Sequence, residues 1–167
     1  KYALRRAGET HEPEGAVRDG TREAVILGIE QQSLSLARQL SANGWGVIVA
    51  DTNREQVERL AAEDVDERHI PDISAATLRT LMGPNTDALV ALMPDDADNL
   101  QACEIAYEEF GCRRMVARLN DVKLAERFRE LGVLVVDQTS AMVNLLDQSV
   151  RAPQTTALLL HSDARYD

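Results

Sequence analysis

Aromatic side chains are scarce in this chain: Phe, Trp and Tyr together make up 4% of 167 residues. A hydrophobic core must therefore be built of Leu, Val, Ile and Ala, the mixture that fills a sheet covered by helices. Cysteine is nearly missing. The two present, Cys103 and Cys112, form no C-x-x-C pair, which excludes a disulfide framework and fits a reducing, cytosolic setting. No run approaches the roughly 20 apolar residues that cross a bilayer, and no signal peptide is visible. Positive charge is also short. A formal net charge of −10 argues against nucleic acid as a partner, because phosphate contacts need clustered Lys and Arg. Catalytic signatures are missing as well: there is no G-x-S-x-G, no Walker lysine and no zinc-ligand spacing. The three histidines, His11, His69 and His161, are scattered. No enzyme is expected. The chain opens on Lys1 rather than Met, as a piece of a longer or processed protein would.

What is present centres on Ala24 to Asp51, AVILGIEQQSLSLARQLSANGWGVIVAD. It reads as a buried strand, a tight turn, an amphipathic helix, a second buried strand and a terminal acid. That is the first half of a dinucleotide-binding βαβ unit. Its fingerprint is altered. Where G-x-G-x-x-G would stand, the chain has Gly28-Ile29-Glu30-Gln31-Gln32-Ser33. Gly28 keeps the first position, which makes the tight turn. Ser33 in the third is a mild change. Glu30 in the second puts a side chain and a negative charge where a pyrophosphate should approach.

The rest of the chain extends the pattern. Residues 1–22 are polar and rich in breakers, and read as a flexible leader or linker. Helical spacing over Ser33–Asn43 places Leu34, Ala37 and Leu40 on one face, and Thr52-Asn53-Arg54-Glu55 reads as a capping box before Val57, Leu60 and Ala61. Short strands are expected at Arg68–Ile70, Asp87–Pro94, Met115–Leu119 and Val133–Val136, after those at Ala24–Leu27 and Trp45–Ala50. Between them, Ser74 and Asp121 cap helices. A helix over Ala97–Phe110 buries Leu100, Cys103, Ala106, Tyr107 and Phe110, and one over Ser140–Arg151 carries Met142, Leu145, Leu146 and Val150. Six strands alternating with helices predict an α/β fold, a doubly wound parallel six-stranded sheet of Rossmann-like order 3-2-1-4-5-6. Ligands would then sit at the switch point, beyond Gly28–Ser33 and Met93–Asp98.

The segment LVALMPDDADNLQACEIAYEEFGCRRMVARLND, followed by LAERFRELGVLVVDQTSAMVNLLDQSV, resembles the regulator of K+ conductance (RCK) domain, also called the TrkA-N domain. The match runs through strand, acidic turn, Asn-bearing helix and a strand ending Ala117-Arg118-Leu119-Asn120-Asp121, and extends from Ala24 to about Gln154. The resemblance implies a cytoplasmic regulatory domain at the inner face of the cell membrane. It would form a homodimer or higher RCK assembly and act on a membrane-embedded domain or subunit of a potassium channel, potassium transporter or cation–proton antiporter. Family members sense nucleotides such as AMP, ADP, ATP or NAD, and some a divalent cation. On this reading residues 23–153 form the domain with its crossover helix. Residues 154–167, which include TTALLLHSD, open a further C-terminal domain, and the leader links to a membrane domain.

The candidate cofactor-binding residues are Gly28, Glu30, Ser33, Asp51, Asp72 and Arg118. Asp51 ends strand two, where an acid accepts hydrogen bonds from ribose hydroxyls, or else caps the next helix beside Thr52. The resemblance places Asp72 near an adenine. Arg118 points to the switch point, where it would hold a phosphate or pair with Glu30, Asp95 or Asp96. Glu30 disfavours standard NAD binding: two unit charges 4 Å apart at an effective dielectric of about 20 interact by about 4 kcal/mol, against roughly 0.3–2 kcal/mol from a helix N-terminus. Asp95, Asp96 and Asp98 are weak candidates for a divalent cation, with a solvated helix-capping loop as the favoured alternative. The resembled calcium-gated channels carry acids on the strand matching Met115–Asn120, whereas this chain has Arg118 and Asn120. Cys112 lies beside Arg113 and Arg114, which would lower a thiol pKa, but an inert buried thiol is the expectation. Two other readings stand beside a sensor: a vestigial, ligand-free dimerisation scaffold of a transporter, and an NAD(P)-dependent oxidoreductase.

Overall fold

Short apolar runs set the strands and the helical stripes between them set the layers. The structure is a computed structural model and describes residues 20–152. The leader up to residue 19 and the tail from residue 153, including His11, His161 and TTALLLHSD, lie outside the described residues. The strands are β1 (Glu23–Leu27), β2 (Gly46–Asp51), β3 (Asp66–His69), β4 (Thr86–Ala91), β5 (Arg114–Arg118) and β6 (Leu134–Val136). The helices are α1 (Gln31–Ala42), α2 (Arg54–Arg59), α3 (Ala75–Leu78), α4 (Asp96–Phe110), α5 (Ala125–Glu130) and α6 (Gln138–Arg151). A 3-10 turn, Val122–Leu124, leads into α5. All strand pairs are parallel, in the order β3-β2-β1-β4-β5-β6 expected for the doubly wound fold.

Alternation along β1 divides the core in two. Ile26 packs with Ile29, Leu34, Ala37, Val49 and Val90 on one face of the sheet, under α1. Val25 and Leu27 face the opposite way, toward Leu78 of α3, Ala102, Cys103 and Ala106 of α4, and Phe128 of α5. Two buried faces are what a parallel sheet needs, since its crossover helices cover both.

Several boundaries differ from expectation for identifiable reasons. β3 begins at Asp66, because Ile48 to Asp51 of β2 pair with Asp66 to His69. An edge strand reading Asp-Glu-Arg-His has no apolar alternation to betray it, and its charges protect an open edge from pairing with other chains. α2 is capped by Asn53, whose side chain accepts from the Gln56 N–H at 3.1 Å, so the cap lies one residue beyond Thr52, and the expected box does not form because the Asn53 N–H donates to Asp51. α2 ends at Arg59, which leaves Ala61 beyond the helix and exposed. Along α4 the buried face is Asp96, Asn99, Ala102, Cys103 and Ala106. Tyr107 lies outside it, stacked under the Arg113 guanidinium at 5.6 Å.

The fold turns on Gly28. Its φ is +99°, and a Cβ there would lie 2.7 Å from the Leu92 carbonyl oxygen and 2.9 Å from the Met93 nitrogen. Those atoms are backbone and cannot yield as a side-chain tip would. Gly111, which ends α4 at φ +63°, has open space around the same position. Gly28→Ala should therefore cost at least about 3 kcal/mol, combining left-handed strain with a backbone clash, whereas Gly111→Ala should cost about 1–2 kcal/mol of strain alone. Urea unfolding of the two variants compares them directly; equal midpoints would contradict the close approach.

Candidate functional site

The carboxyl ends of β1, β2, β4 and β5 surround a crevice of about 390 Å³ at the switch point. Its lining includes Gly28, Glu30, Asp51, Asp95, Asp98 and Arg118. These six residues, drawn from separate stretches of the sequence, are brought together there. Ser33 lies beneath the turn and is fully buried, and Asp72 is not among the lining residues.

The turn after β1 satisfies its own donors. The Ile29 N–H donates to Asp51 Oδ2 at 2.7 Å, and the Glu30 N–H donates to Ser33 Oγ at 2.8 Å. The Ser33 hydroxyl in turn donates to the Glu30 carbonyl at 2.8 Å. The third fingerprint position is therefore a clamp on the residue that replaces the second. Asp51 is buried, and its other oxygen accepts from the Asn53 N–H at 2.7 Å. It ties the ends of β1 and β2 together and leaves the capping of α2 to Asn53. Gln56 adds a further tie, its Nε2 donating to the Ile29 carbonyl at 2.9 Å.

Arg118 crosses from β5 to this turn. Its Nη1 donates to Glu30 Oε1 at 2.8 Å, and its Nη2 donates to the Leu92 carbonyl. Of the partners open to Arg118 from sequence, the structure brings Glu30. The pair is unequal in exposure, with side chains 10% exposed for Arg118 and 27% for Glu30. Arg118 Nε is buried with no hydrogen-bond partner. With Glu30, Asp51, Asp95 and Asp98, the crevice holds four carboxylates against one guanidinium, an unfavourable field for a polyphosphate.

The acids after β4 separate into three roles. Asp95 caps α4, accepting from the Ala97 N–H at 2.7 Å. Asp96 is buried and accepts from the backbone N–H groups of Asn120 and Asp121 at 2.9 and 2.6 Å, and from Asn120 Nδ2 at 3.0 Å. Burial, with Asp95 alongside, holds the Asp98 carboxyl above the ordinary carboxylate value. No group of three or more His, Cys, Asp or Glu side chains is placed to hold a metal among the described residues. Asp72 accepts from Thr77 Oγ1 at 2.6 Å at the start of α3, and hydrogen bonds from Ser74 and Thr77 lower its pKa.

Asn99 is the residue that reasoning from periodicity missed. It is fully buried, its Oδ1 accepts from the Met93 N–H at 2.9 Å, and its Nδ2 donates to the Met93 carbonyl at 2.9 Å. It fixes the backbone that Gly28 abuts. The available signal was a lone amide three residues before Ala102, on the face that also buries Cys103 and Ala106. At the opposite pole Cys112 is buried, its Sγ facing the Asp87 and Arg114 carbonyls, and burial raises its thiol pKa despite the nearby Arg114 charge. Cys103 is pushed up to about 12 by burial.

A family model for the TrkA-N domain matches residues 24–147. The Trk system potassium uptake protein TrkA of Streptomyces coelicolor is 30% identical over 114 residues, covering 67% of this chain and 51% of that protein. The chain thus spans about half the length of that curated relative. Among solved structures, the TrkA-N domain of the inner membrane protein ybaL from Escherichia coli superposes with a TM-score of 0.67 at 16% identity, covering 78% of this chain and 97% of that one. The NAD(P)-binding domain of an exopolyphosphatase-related protein from Archaeoglobus fulgidus gives 0.66 at 24% identity, covering 78% and 98%. At these identities the two structures speak for the fold.

Two outcomes test the site's scaffold. Asn99→Leu leaves the Met93 N–H and carbonyl without partners in the interior and should cost about 2–4 kcal/mol in chemical denaturation; a loss below about 0.5 kcal/mol, the range of ordinary surface substitutions, would contradict its role. Neither cysteine should react with a thiol reagent at pH 8 in the folded protein, and both should react in urea. Rapid labelling of the folded chain would show that the buried thiols are reachable.

Proposed function

Because the chain belongs to the TrkA-N domain family, we propose that it is the cytosolic regulatory, ligand-sensing domain of a potassium or other monovalent-cation transport system. Residues 23–153 would form that domain, the leader would join it to a membrane-embedded partner, and residues 154–167 would open a further domain. The observation that carries the reading is the state of α6. This 14-residue helix is capped by Asp137, which accepts from the Thr139 and Ser140 N–H groups, yet it buries none of its residues. Met142, Val143 and Leu146 are 56–57% exposed and Val150 is 83% exposed. Residues 143, 146 and 150 follow helical spacing along one stripe. A helix of this length is marginal in water without packing, and a stripe this apolar favours a second copy of the chain as its cover.

In a pair joined through α6, the two crevices would lie on bodies whose relative angle a ligand could change. Binding that favours one angle over the other shifts the population of that angle, and the leader would carry the shift to the pore. No helix among the described residues is long and apolar enough to cross a membrane, so the pore would belong to another segment or subunit. The Glu30–Arg118 pair favours a second reading, a dimerisation scaffold whose crevice is closed by its own side chains.

Light scattering on the purified chain should give a dimer at micromolar concentration. Leu146→Asp should shift it to monomer while the far-UV spectrum is kept, because exposed positions tolerate substitution within about 0.5 kcal/mol. In cells, the same variant should change potassium or rubidium flux at an unchanged level of protein. A strict monomer at high concentration, or a flux indifferent to Leu146→Asp, would count against the proposal.

A further inference from the structure

We propose that Glu30 is a specificity-determining residue, a tethered competitor whose carboxylate takes the place on Arg118 that a ligand's phosphate would occupy. The inference rests on the sensing role proposed above and deepens it by naming what the crevice discriminates: whether the ligand bears a phosphate.

Three observations carry it. First, the donors that this turn would offer a phosphate are engaged internally. The Ile29 N–H is held by Asp51, the Glu30 N–H by Ser33 Oγ, and Arg118 Nη1 by Glu30. Second, the arginine is anchored independently of the glutamate. Arg118 Nη2 donates to the Leu92 carbonyl, so removal of the carboxylate leaves the guanidinium tied to the end of β4. Third, the pair is built to exchange. Glu30 engages Arg118 through one hydrogen bond and is 27% exposed, with open crevice beside it, whereas Arg118 is held at 10%. Glu30 can turn toward water by giving up its bond to Arg118 and the capping bond that its side chain accepts from the Ser33 N–H; Arg118, more deeply buried, has no such way out.

A phosphate bears several oxygens and can accept from more than one edge of a guanidinium, whereas Glu30 accepts from one nitrogen. The two acceptors therefore compete for one cation, and the tethered one starts at high effective concentration. The apparent affinity for a phosphorylated ligand is its intrinsic affinity multiplied by the fraction of time that Arg118 is free. An unphosphorylated nucleoside makes no claim on Arg118 and escapes the competition. Each added phosphate also brings negative charge toward Asp51, Asp95 and Asp98 in the same crevice. The wild-type order should run adenosine, AMP, ADP from least to most penalised, with NAD, whose two phosphates carry one charge each, less penalised than ADP.

Calorimetry with adenosine, AMP, ADP and NAD on the wild-type chain, Glu30→Gln and Glu30→Gly tests this. The N-cap conformation of Glu30, φ −149° and ψ 174°, is open to both replacements, and a thermal melt confirms that each variant is folded. In Glu30→Gly the affinity for AMP and ADP should rise about 10- to 100-fold while that for adenosine stays within about twofold, the gain expected if the pair is closed for all but a small fraction of the time. Glu30→Gln, which removes the charge but keeps an acceptor, should gain less. Adding Arg118→Gln to Glu30→Gly should abolish the gain. The proposal is overturned if the wild-type chain binds ADP as tightly as Glu30→Gly does, if adenosine gains as much as AMP, or if no nucleotide binds any variant at about 1 mM, the weak end of specific recognition. Any of these would leave the dimer and flux measurements free to support or sink the regulatory role separately.

Discussion

The ends of β1 and β4 approach so closely that there is no room for a single carbon atom between Gly28 and the Leu92–Met93 peptide. Much of the crevice follows from that contact. Backbone that packs on backbone must be positioned by something other than side-chain bulk, and here hydrogen bonds do it. The Leu92 N–H donates to the Leu27 carbonyl at 2.7 Å, and the Gly28 N–H to the Ala50 carbonyl at 2.8 Å. Asn99 grips Met93 from the α4 side, and Arg118 grips the Leu92 carbonyl from β5. The switch point is thus a junction of four strand ends, fixed before any ligand is considered. Its rigidity is what allows one side chain, Glu30, to decide what the crevice accepts.

Energetically the Glu30–Arg118 pair sits between two regimes. An exposed ion pair contributes about 0–1 kcal/mol, whereas breaking a buried pair by deleting one partner costs about 3–5 kcal/mol. Arg118 belongs nearer the buried limit and Glu30 nearer the exposed one. Its second acceptor, the Leu92 carbonyl, reduces the penalty for losing Glu30, because the guanidinium keeps a partner. This asymmetry separates a competitor from a structural strut. A strut would be buried at both ends and would admit no exchange.

The fold was legible from periodicity and punctuation, and the site only in part. Gly28, Asp51 and Arg118 could be placed at the switch point because strand ends and their order follow from the alternation of apolar runs with helical stripes. Arg118 and Glu30 are 88 positions apart, so composition could name the pair as one of several but not choose it. The geometry of β5 beside β4 makes the choice. Ser33 read as a small residue standing in for glycine, while its hydroxyl in fact bonds both the N–H and the carbonyl of Glu30. Hydroxyl direction leaves no trace in a hydrophobic pattern. Asp96 read as one acid among three, and its service to the backbone of Asn120 and Asp121 depends on a loop 24 residues away. Strand β3 was placed late for the converse reason: its charged residues are set by edge position, not by burial.

The unpacked α6 and the closed phosphate position bear on each other. A sensor must have two states of similar free energy, and a domain whose switch point is locked by four strand ends has little freedom inside the sheet. Freedom is left at two places, the half-buried Glu30 side chain and the seating of α6, which buries none of its own residues. β6 lies directly before α6, and the Leu119 N–H donates to the Val136 carbonyl at 3.1 Å, next to Arg118 in sequence. A route of covalent and hydrogen-bonded neighbours therefore runs from Arg118 through Leu119 and Val136 to Asp137, the cap of α6. Displacing Glu30 from Arg118 acts at one end of that route, and pairing of α6 acts at the other. Spatial continuity alone does not make an energetic coupling. It does give coupling a path to take: Arg118 pairs in register with Val136 of β6, and the Leu119 N–H bonds the Val136 carbonyl, one residue before the cap of the helix that would join two copies.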